Sequence, residues 1–280
     1  MRARHPWRLA ALLLALALAA AAAEPVPFRF VILGDRTGEA APGVFEQVSR
    51  EASLENPAFV LSTGDLIEGM RDGSVQAEWR EFDRLMEPFR GVPFYAAPGN
   101  HDVWSEASAA AAQRHSGRAL HFSFDYQGAH FTVLDNSRSD DLPAAELAFL
   151  ETDLQAHAAQ PLKFVVMHRP SWLTNVAVRN TEFALHRIAR KYGVRYVIAG
   201  HLHQLLRFDL EGVTYVSMVS SGGHLRASAK YEDGWFFGYG VVEVAGDKAA
   251  VEIRELKAPH GEGRTTNLGD WGMLGLVKGR

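Results

Sequence analysis

Five short apolar segments of the sequence each stop abruptly at residues whose side chains can bind a metal ion or carry a proton. In chain order these residues are Asp35, Asp65, Asn100, His101, Asp102, His168, His201 and His203. Carboxylate, amide and imidazole groups are hard or borderline ligands for divalent metals. A single Gly-Asp is common in turns, but Gly-Asn-His-Asp at 99–102 together with Gly-His-Leu-His at 200–203 is a specific pattern. The combination predicts metal-assisted chemistry.

The segments that precede these residues are β-leaning and do not alternate with polar residues, which is typical of strands covered on both faces. They are Phe28–Leu33, Phe59–Thr63, Val92–Ala97, Phe164–Met167 and Tyr196–Ala199. Helical stretches lie between them, at Val44–Glu55, Val75–Phe89, Pro143–His157 and Thr181–Tyr192. Such alternation predicts an α/β fold. Because ligands of open α/β sheets bind beyond the carboxyl ends of strands, we expect the polar residues to converge there.

Further strands are indicated in antiparallel pairs, in a hairpin before the fourth segment and in the region after Gly200. They are Leu120–Tyr126, Ala129–Asp135, Leu205–Leu210, Val213–Met218, Trp235–Val244 and Ala249–Leu256. Together with the first set, they predict one domain with two stacked mixed sheets and helices outside.

Composition excludes several classes of protein. The 280 residues are 47% apolar and 22% charged, as in an ordinary globular protein, and there is no cysteine. Disulfides, cysteine-ligated zinc and thiol catalysis are therefore excluded. A formal charge of −4 gives no reason to expect binding to a nucleic-acid duplex. The sequence does not indicate the oligomeric state.

The N-terminal residues have the layout of a signal peptide. Arg2, Arg4 and Arg8 precede an apolar run over 9–23, which is short for a membrane span and ends in three alanines. We expect a signal peptide at 1–23, a periplasmic or extracellular mature protein and no transmembrane span in that mature chain; an uncleaved anchor is the alternative. The folded domain is predicted at 24–257. A glycine-rich tail at 258–280 is predicted to be loose or draped over the surface.

These blocks resemble the calcineurin-like metallophosphoesterase family over residues 28–225, in the family's order: Asp-x-His, Gly-Asp, Gly-Asn-His-Asp/Glu, a single His, and Gly-His-x-His. The resemblance implies a four-layer α/β-sandwich and two divalent metal ions, commonly manganese, iron or zinc. It implies that Asp65 bridges both ions, that Asp35 and His203 hold the first, and that Asn100, His168 and His201 hold the second. It also implies that His101 faces the substrate and pairs with Asp102.

Physical chemistry supports that arrangement. A metal pair lowers the pKa of a shared water, and the resulting dimetal-activated hydroxide can attack phosphorus in line. A histidine oriented by a carboxylate can protonate the leaving alkoxide, so His101 and Asp102 are predicted catalytic residues. Arg36 is a third, because arginine suits bidentate phosphate contact.

The first block departs from the family because it reads Asp35-Arg36-Thr37 and lacks the usual histidine. Three interpretations are open. Another group could complete the first site, with Glu68, Thr37 or His224 as candidates. Water could fill the position and leave the first metal weakly bound. Only one metal could bind, with low or no activity.

We therefore expect an exported metal-dependent phosphoesterase that hydrolyses a phosphomonoester or phosphodiester, on a small-molecule or envelope substrate. One alternative is a non-catalytic, metal-binding interaction module on the same scaffold. Another is a variant similar to purple acid phosphatases, which also lack the first histidine; Glu68 stands where they have a tyrosine ligand.

Overall fold

The structure, a computed structural model, describes residues 26–277. The predicted signal segment, residues 1–23, lies outside the described residues. Within 26–277, no helix has both the length and the apolar character that crossing a bilayer would require.

Two six-stranded mixed sheets form the centre of the fold, with strand orders β12-β11-β10-β1-β2-β3 and β4-β5-β6-β7-β9-β8. The strands of the first sheet are β1 (Phe28–Leu33), β2 (Val60–Ser62), β3 (Phe94–Ala96), β10 (Gly238–Ala245), β11 (Lys248–Glu255) and β12 (Thr265–Asn267). Those of the second are β4 (Phe122–Tyr126), β5 (Ala129–Val133), β6 (Leu162–Val166), β7 (Tyr196–Ala199), β8 (Leu206–Leu210) and β9 (Val213–Ser217). A small separate hairpin joins β13 (Trp271–Gly272) to β14 (Gly275–Leu276).

Helices cover the outer face of each sheet. The α-helices of the described residues are α1 (Val44–Ser53), α2 (Val75–Leu85), α3 (Glu106–Ser116), α4 (Ala144–Ala156), α5 (Leu173–Ala177) and α6 (Ala184–Lys191). The first three pack on the first sheet and the last three on the second. The predicted four-layer α/β-sandwich is confirmed.

The continuous apolar strands follow from this layering because alternate side chains enter different cores. In β1, Phe30 and Ile32 point between the sheets, whereas Val31 and Leu33 pack under the helices. In β6, Phe164 lies between the sheets; it stacks on Phe131 with ring centroids 4.7 Å apart and meets Phe30 edge-on at 5.7 Å. These aromatic contacts fix the position of one sheet over the other.

Parallel pairing brings the predicted site to one edge of the sandwich. In the first sheet β1, β2 and β3 are parallel, and in the second β5, β6, β7 and β9 are parallel. All the polar blocks follow carboxyl ends of these strands.

The sequence-based boundaries differ from the structure at several points. The predicted helix Val75–Phe89 ends at Leu85, and a 3₁₀ turn at Glu87–Phe89 follows because Pro88 cannot continue the helix. The tail, predicted to be loose or draped over the surface, is packed on the domain: β12 adds an edge strand to β11, and Trp271 is 2% exposed against Tyr231 and Phe236. The strands of this tail are only two or three residues long, which is too short to show an alternation of apolar and polar residues in the sequence.

A buried histidine network stabilises the opposite end of the second sheet. The ring of His130, fully buried, bonds Asp125 through Nδ1 at 2.7 Å and Asp153 through Nε2 at 2.9 Å, and it stacks on His157. Burial alone would lower the pKa of His130, but its bonds to Asp153 and Asp125 outweigh burial and raise it. Burial would raise the pKa of Asp153, but bonds from His130, Thr132 and Ser123 lower it.

This network predicts a pH-dependent share of stability. Because the pKa of His130 is raised in the folded state, its contribution to the free energy of unfolding is complete below about pH 6.5 and is lost as the pH rises through the folded pKa. Because the pKa of Asp153 is lowered, its contribution is complete above about pH 4 and is lost as the pH falls through the folded pKa. His130→Gln should therefore reduce the free energy of unfolding by about 2 kcal/mol at pH 5 to 6 and by less at pH 9, measured by urea titration. His260→Gln, whose partner is the uncharged amide of Gln47, is the control. A loss that stays constant from pH 5 to 9 would contradict the prediction.

Candidate metal centre

Four of the predicted ligands form a tight group. The Nε2 atom of His168 lies 3.4 Å from Asp65 Oδ2, 3.0 Å from Asn100 Oδ1 and 3.2 Å from His201 Nδ1. Asp65, His168 and His201 are also a set whose possible ligand atoms all lie within 4.8 Å of one another. One cation could be held by all four side chains.

The other two predicted ligands lie together beside this group. Asp35 Oδ2 is 3.2 Å from His203 Nε2, and both residues are buried. Both Asp35 oxygens also accept a hydrogen bond from the backbone N–H of His201. The structure thus brings together all six residues: Asp35, Asp65, Asn100, His168, His201 and His203. We call these six the metal centre.

Backbone carbonyls fix which imidazole nitrogen faces the centre. The Nδ1 atom of His168 donates to Thr63 O at 2.9 Å, and that of His203 donates to His224 O at 2.8 Å. Each bond orients its ring so that Nε2 faces the other ligands. Second contacts of this kind orient metal-binding histidines.

Three residues of the centre have a left-handed backbone, which is rare for side chains other than glycine. The φ angles are 55° at Asp65, 70° at His201 and 61° at His203. Two glycines beside these residues allow close packing, since a Cβ at Gly99 would lie 2.1 Å from Asp65 N and one at Gly200 would lie 2.3 Å from Asp35 Oδ1. Such strain concentrates at functional sites.

The chemistry of the donor set fits a cation. Asp65 Oδ2 is buried and has no hydrogen-bond partner within residues 26–277, which is costly for a carboxylate oxygen unless a positive charge is near. Burial would lower the pKa of His168, but Asp65 and Asp35 outweigh it and raise the value to about 9. Burial and the charge of His168 lower the pKa of His201 to about 4, so its ring is neutral, as a metal ligand must be.

Two of the candidates for the missing histidine, Glu68 and His224, turn to backbone groups. The Glu68 carboxylate turns to the backbone N–H of Ala40 at 2.9 Å, and the ring of His224 bonds Gly38 O at 2.7 Å. Neither joins Asp35 and His203 in a close group of ligand atoms in the described part of the chain. Thr37 is fully buried and offers at most a neutral oxygen.

The predicted pairing of His101 with Asp102 is not what the structure shows. His101 directs Nδ1 to Glu68 O at 2.6 Å. Asp102 is buried and accepts four backbone N–H groups, those of Asp65 and Gly99 on Oδ2 and those of Leu66 and Ile67 on Oδ1. The turn after Gly99 sends the two neighbouring side chains in different directions. Asp102 is a positioning residue that ties the loop after β2 to the loop after β3.

The structure also differs from the prediction that Arg36 contacts the substrate phosphate. Its guanidinium donates to Leu66 O at 2.9 Å and lies 5.9 Å from the centroid of the Phe45 ring. It lines a small cavity under α1 and α2 with Glu46 and Glu81, so it faces the helical layer. Burial lowers its pKa.

Two residues near the centre were missed. Arg226 is exposed, and its Nη2 lies 3.5 Å from His203 Nε2; it has no carboxylate partner among the described residues. Nothing in the local sequence marks it. Asn136 accepts from the backbone N–H groups of His168 and Arg169, both at 3.1 Å, and so shapes the turn that carries His168. Its position directly after the predicted strand Ala129–Asp135 was a usable signal.

Comparisons with known proteins identify the family. A family profile described as Calcineurin-like phosphoesterase matches residues 28–205. Purple acid phosphatase 23 of Arabidopsis thaliana is 26% identical over 186 residues, 56% of this chain and 40% of that protein. The 3',5'-cyclic adenosine monophosphate phosphodiesterase CpdA of Haemophilus influenzae is 27% identical over 181 residues, 60% of this chain and 63% of that protein. The match thus spans less than two thirds of either relative.

The fold is also found among solved structures. Purple acid phosphatase PPD1 from yellow lupin (Lupinus luteus) seeds superposes with a TM-score of 0.67 at 18% identity, covering 87% of this chain and 53% of that one.

The contacts of Asp102 yield a prediction. In Asp102→Asn one oxygen becomes an amide that cannot accept, so two buried backbone N–H groups lose their partner. We expect a loss of about 3 kcal/mol in unfolding free energy and weaker metal binding, measured by denaturant titration and calorimetry. Asp141→Asn, at an exposed aspartate, is the matched control. Unchanged stability with only a shifted pH profile of turnover would instead support pairing with His101.

Proposed function

We propose that this chain, which belongs to the calcineurin-like phosphoesterase family, is a metal-dependent hydrolase of a phosphomonoester or phosphodiester. The observation that carries the proposal is the close packing of Asp65, Asn100, His168 and His201 beside the pair of Asp35 and His203. Carboxylates and imidazoles gathered at a strained, partly buried edge suit divalent cations.

The residues of the metal centre divide into two sets. Asn100, His168 and His201 would hold one ion, Asp35 and His203 the other, and Asp65 would bridge them. Two ions, when bound, would supply a water of lowered pKa and positive charge for the phosphoryl oxygens. The set of Asp35 and His203 is poorer because Thr37 stands where the family has a histidine, so we propose that the ion of this set binds more weakly.

His101 is the proposed general acid. Its backbone N–H donates to Asp65 Oδ1 at 2.9 Å, and its Nδ1 is held by Glu68 O, so Nε2 is the nitrogen left to protonate a leaving alkoxide. Its half-buried ring can reach a substrate at the centre. Positioned proton donors of this kind contribute on the order of 10²–10⁴-fold in rate.

Arg226 is the proposed phosphate contact, in place of Arg36. Its guanidinium lies beside the metal-facing nitrogen of His203 and is free of carboxylates in the described range. A guanidinium can bind two phosphate oxygens at once. It would hold the substrate phosphate on the side of the weaker ion.

Hydrolysis of aryl phosphate monoesters and diesters, and of cyclic AMP, with added manganese tests the proposal. His101→Ala should lower kcat on the order of 10²–10⁴-fold with metal content unchanged. Asp65→Asn should lose both metal and turnover. Arg226→Ala should mainly raise KM. His121→Gln, which changes a histidine paired with Glu146 outside the centre, is the control.

Metal analysis separates the remaining alternatives. We expect two ions per chain in excess manganese, one of them removed first by a weak chelator. One ion only under those conditions would contradict the two-metal arrangement. Bound metal with no turnover on any substrate would favour the interaction module.

We also propose that the protein is exported, to the periplasm or the extracellular space. The support is the basic start, the apolar run and the alanine triplet within residues 1–23. N-terminal sequencing of the protein from expressing cells should begin near Glu24; a sequence that begins at Met1 in the membrane fraction would indicate an anchor instead.

A further inference from the structure

A mainly apolar cavity of about 330 Å³ includes Asp102 in its wall. Its walls come from α2, the second half of α3, the edge strand β3 and the segment that leads into β4, including Phe82, Met86, Phe94 and Phe122. The cavity opens to solvent at Ser116 and Arg118, and its volume is large enough to receive a small ligand.

The cavity exists because of the sequence of α3. That helix carries a run of four alanines at 109–112, and Ala112 faces the aromatic side chains of α2 across the cavity. A larger residue there would fill the gap. Small side chains alone do not make a binding site, but two further features of the wall indicate a ligand.

The first feature is an unpaired donor. Trp79 is 5% exposed and lines the cavity, and its Nε1 has no hydrogen-bond partner within the described chain. Its ring is held by stacking on His115 at 4.2 Å, and His115 in turn bonds Asp83. A buried indole N–H normally finds an acceptor, and none of the described residues supplies one here.

The second feature is an unpaired cation. Arg118 lines the cavity and is exposed, with Cζ 4.7 Å from the Tyr95 ring centroid and 5.7 Å from that of Phe122. Its guanidinium donates to Ser116 O at 3.3 Å, and no carboxylate pairs with it within residues 26–277. The rings hold the guanidinium in place and leave its donors available.

We propose that this cavity binds a single-chain amphiphile with a carboxylate head, such as a medium-chain fatty acid. The alkyl chain would lie among Phe82, Met86 and Phe94, and the carboxylate would pair with Arg118. The volume lies at the lower end of the range for small-molecule sites, which suits one chain. Most of the exposed lining is apolar, so burial of the alkyl chain would drive binding and Arg118 would select the head group.

Calorimetry with decanoate and with decanol tests the proposal on the full chain and needs no turnover. Decanoate should bind wild type more tightly than decanol does. Arg118→Gln should weaken decanoate about fivefold and leave decanol unchanged, as expected for one exposed ion pair. Arg114→Gln, at an exposed position of α3 outside the cavity wall, is the matched control and should change neither.

Ala112→Phe should abolish binding of both ligands by filling the cavity. If that variant does not fold, Ser116→Trp should block the site from its exposed rim. Equal affinity for decanoate and decanol, full binding in a filled variant, or no decanoate binding at millimolar concentration would each overturn the proposal. Because these measurements involve no phosphoester, their outcome is independent of the proposed hydrolase activity.

Discussion

One buried carboxylate, that of Asp102, joins the two loops of the first sheet that carry Asp65 and Asn100. Asp102 accepts the backbone N–H groups of Asp65, Leu66, Ile67 and Gly99, and so joins the two loops that carry Asp65 and Asn100. A buried carboxylate is stable there only because all four bonds are made. Burial and the charge of Asp65 still raise the pKa of Asp102 to about 6. The left-handed backbone of Asp65 depends on the same bonds.

The centre also depends on the packing of one sheet on the other. Asp35, Asp65 and Asn100 follow strands of the first sheet, whereas the three histidines follow strands of the second. Stacked and edge-on phenylalanines between the sheets set their spacing, and Asp35 crosses the gap to accept the backbone N–H of His201. The geometry of the site therefore depends on how the two sheets pack, because a shift between them would separate the carboxylates from the imidazoles.

Much of this was accessible from the sequence because strand ends are marked by a change from apolar to polar residues. That change located all six residues of the metal centre, and parallel pairing explains why they meet. Side-chain direction was not accessible: Asp102 and Arg36 are adjacent to ligands in sequence but turn to the backbone and to the helical layer. Arg226 stood apart from every motif, and the two-residue strands around Trp271 are too short to leave a pattern. The cavity could not be predicted either, because a run of alanines indicates a helix but does not show whether neighbouring side chains fill the space beside it.

The packing of Trp271 has a consequence for chain length. Its indole covers Tyr231 and Phe236, which anchor the far end of the loop that presents Arg226. Every residue of the proposed active site precedes position 227, yet a protein trimmed upstream of Trp271 would release the aromatic anchor of that loop. A minimal catalytic fragment cannot be chosen from the motifs alone, since its boundary is set by an aromatic plug more than forty positions downstream of Arg226.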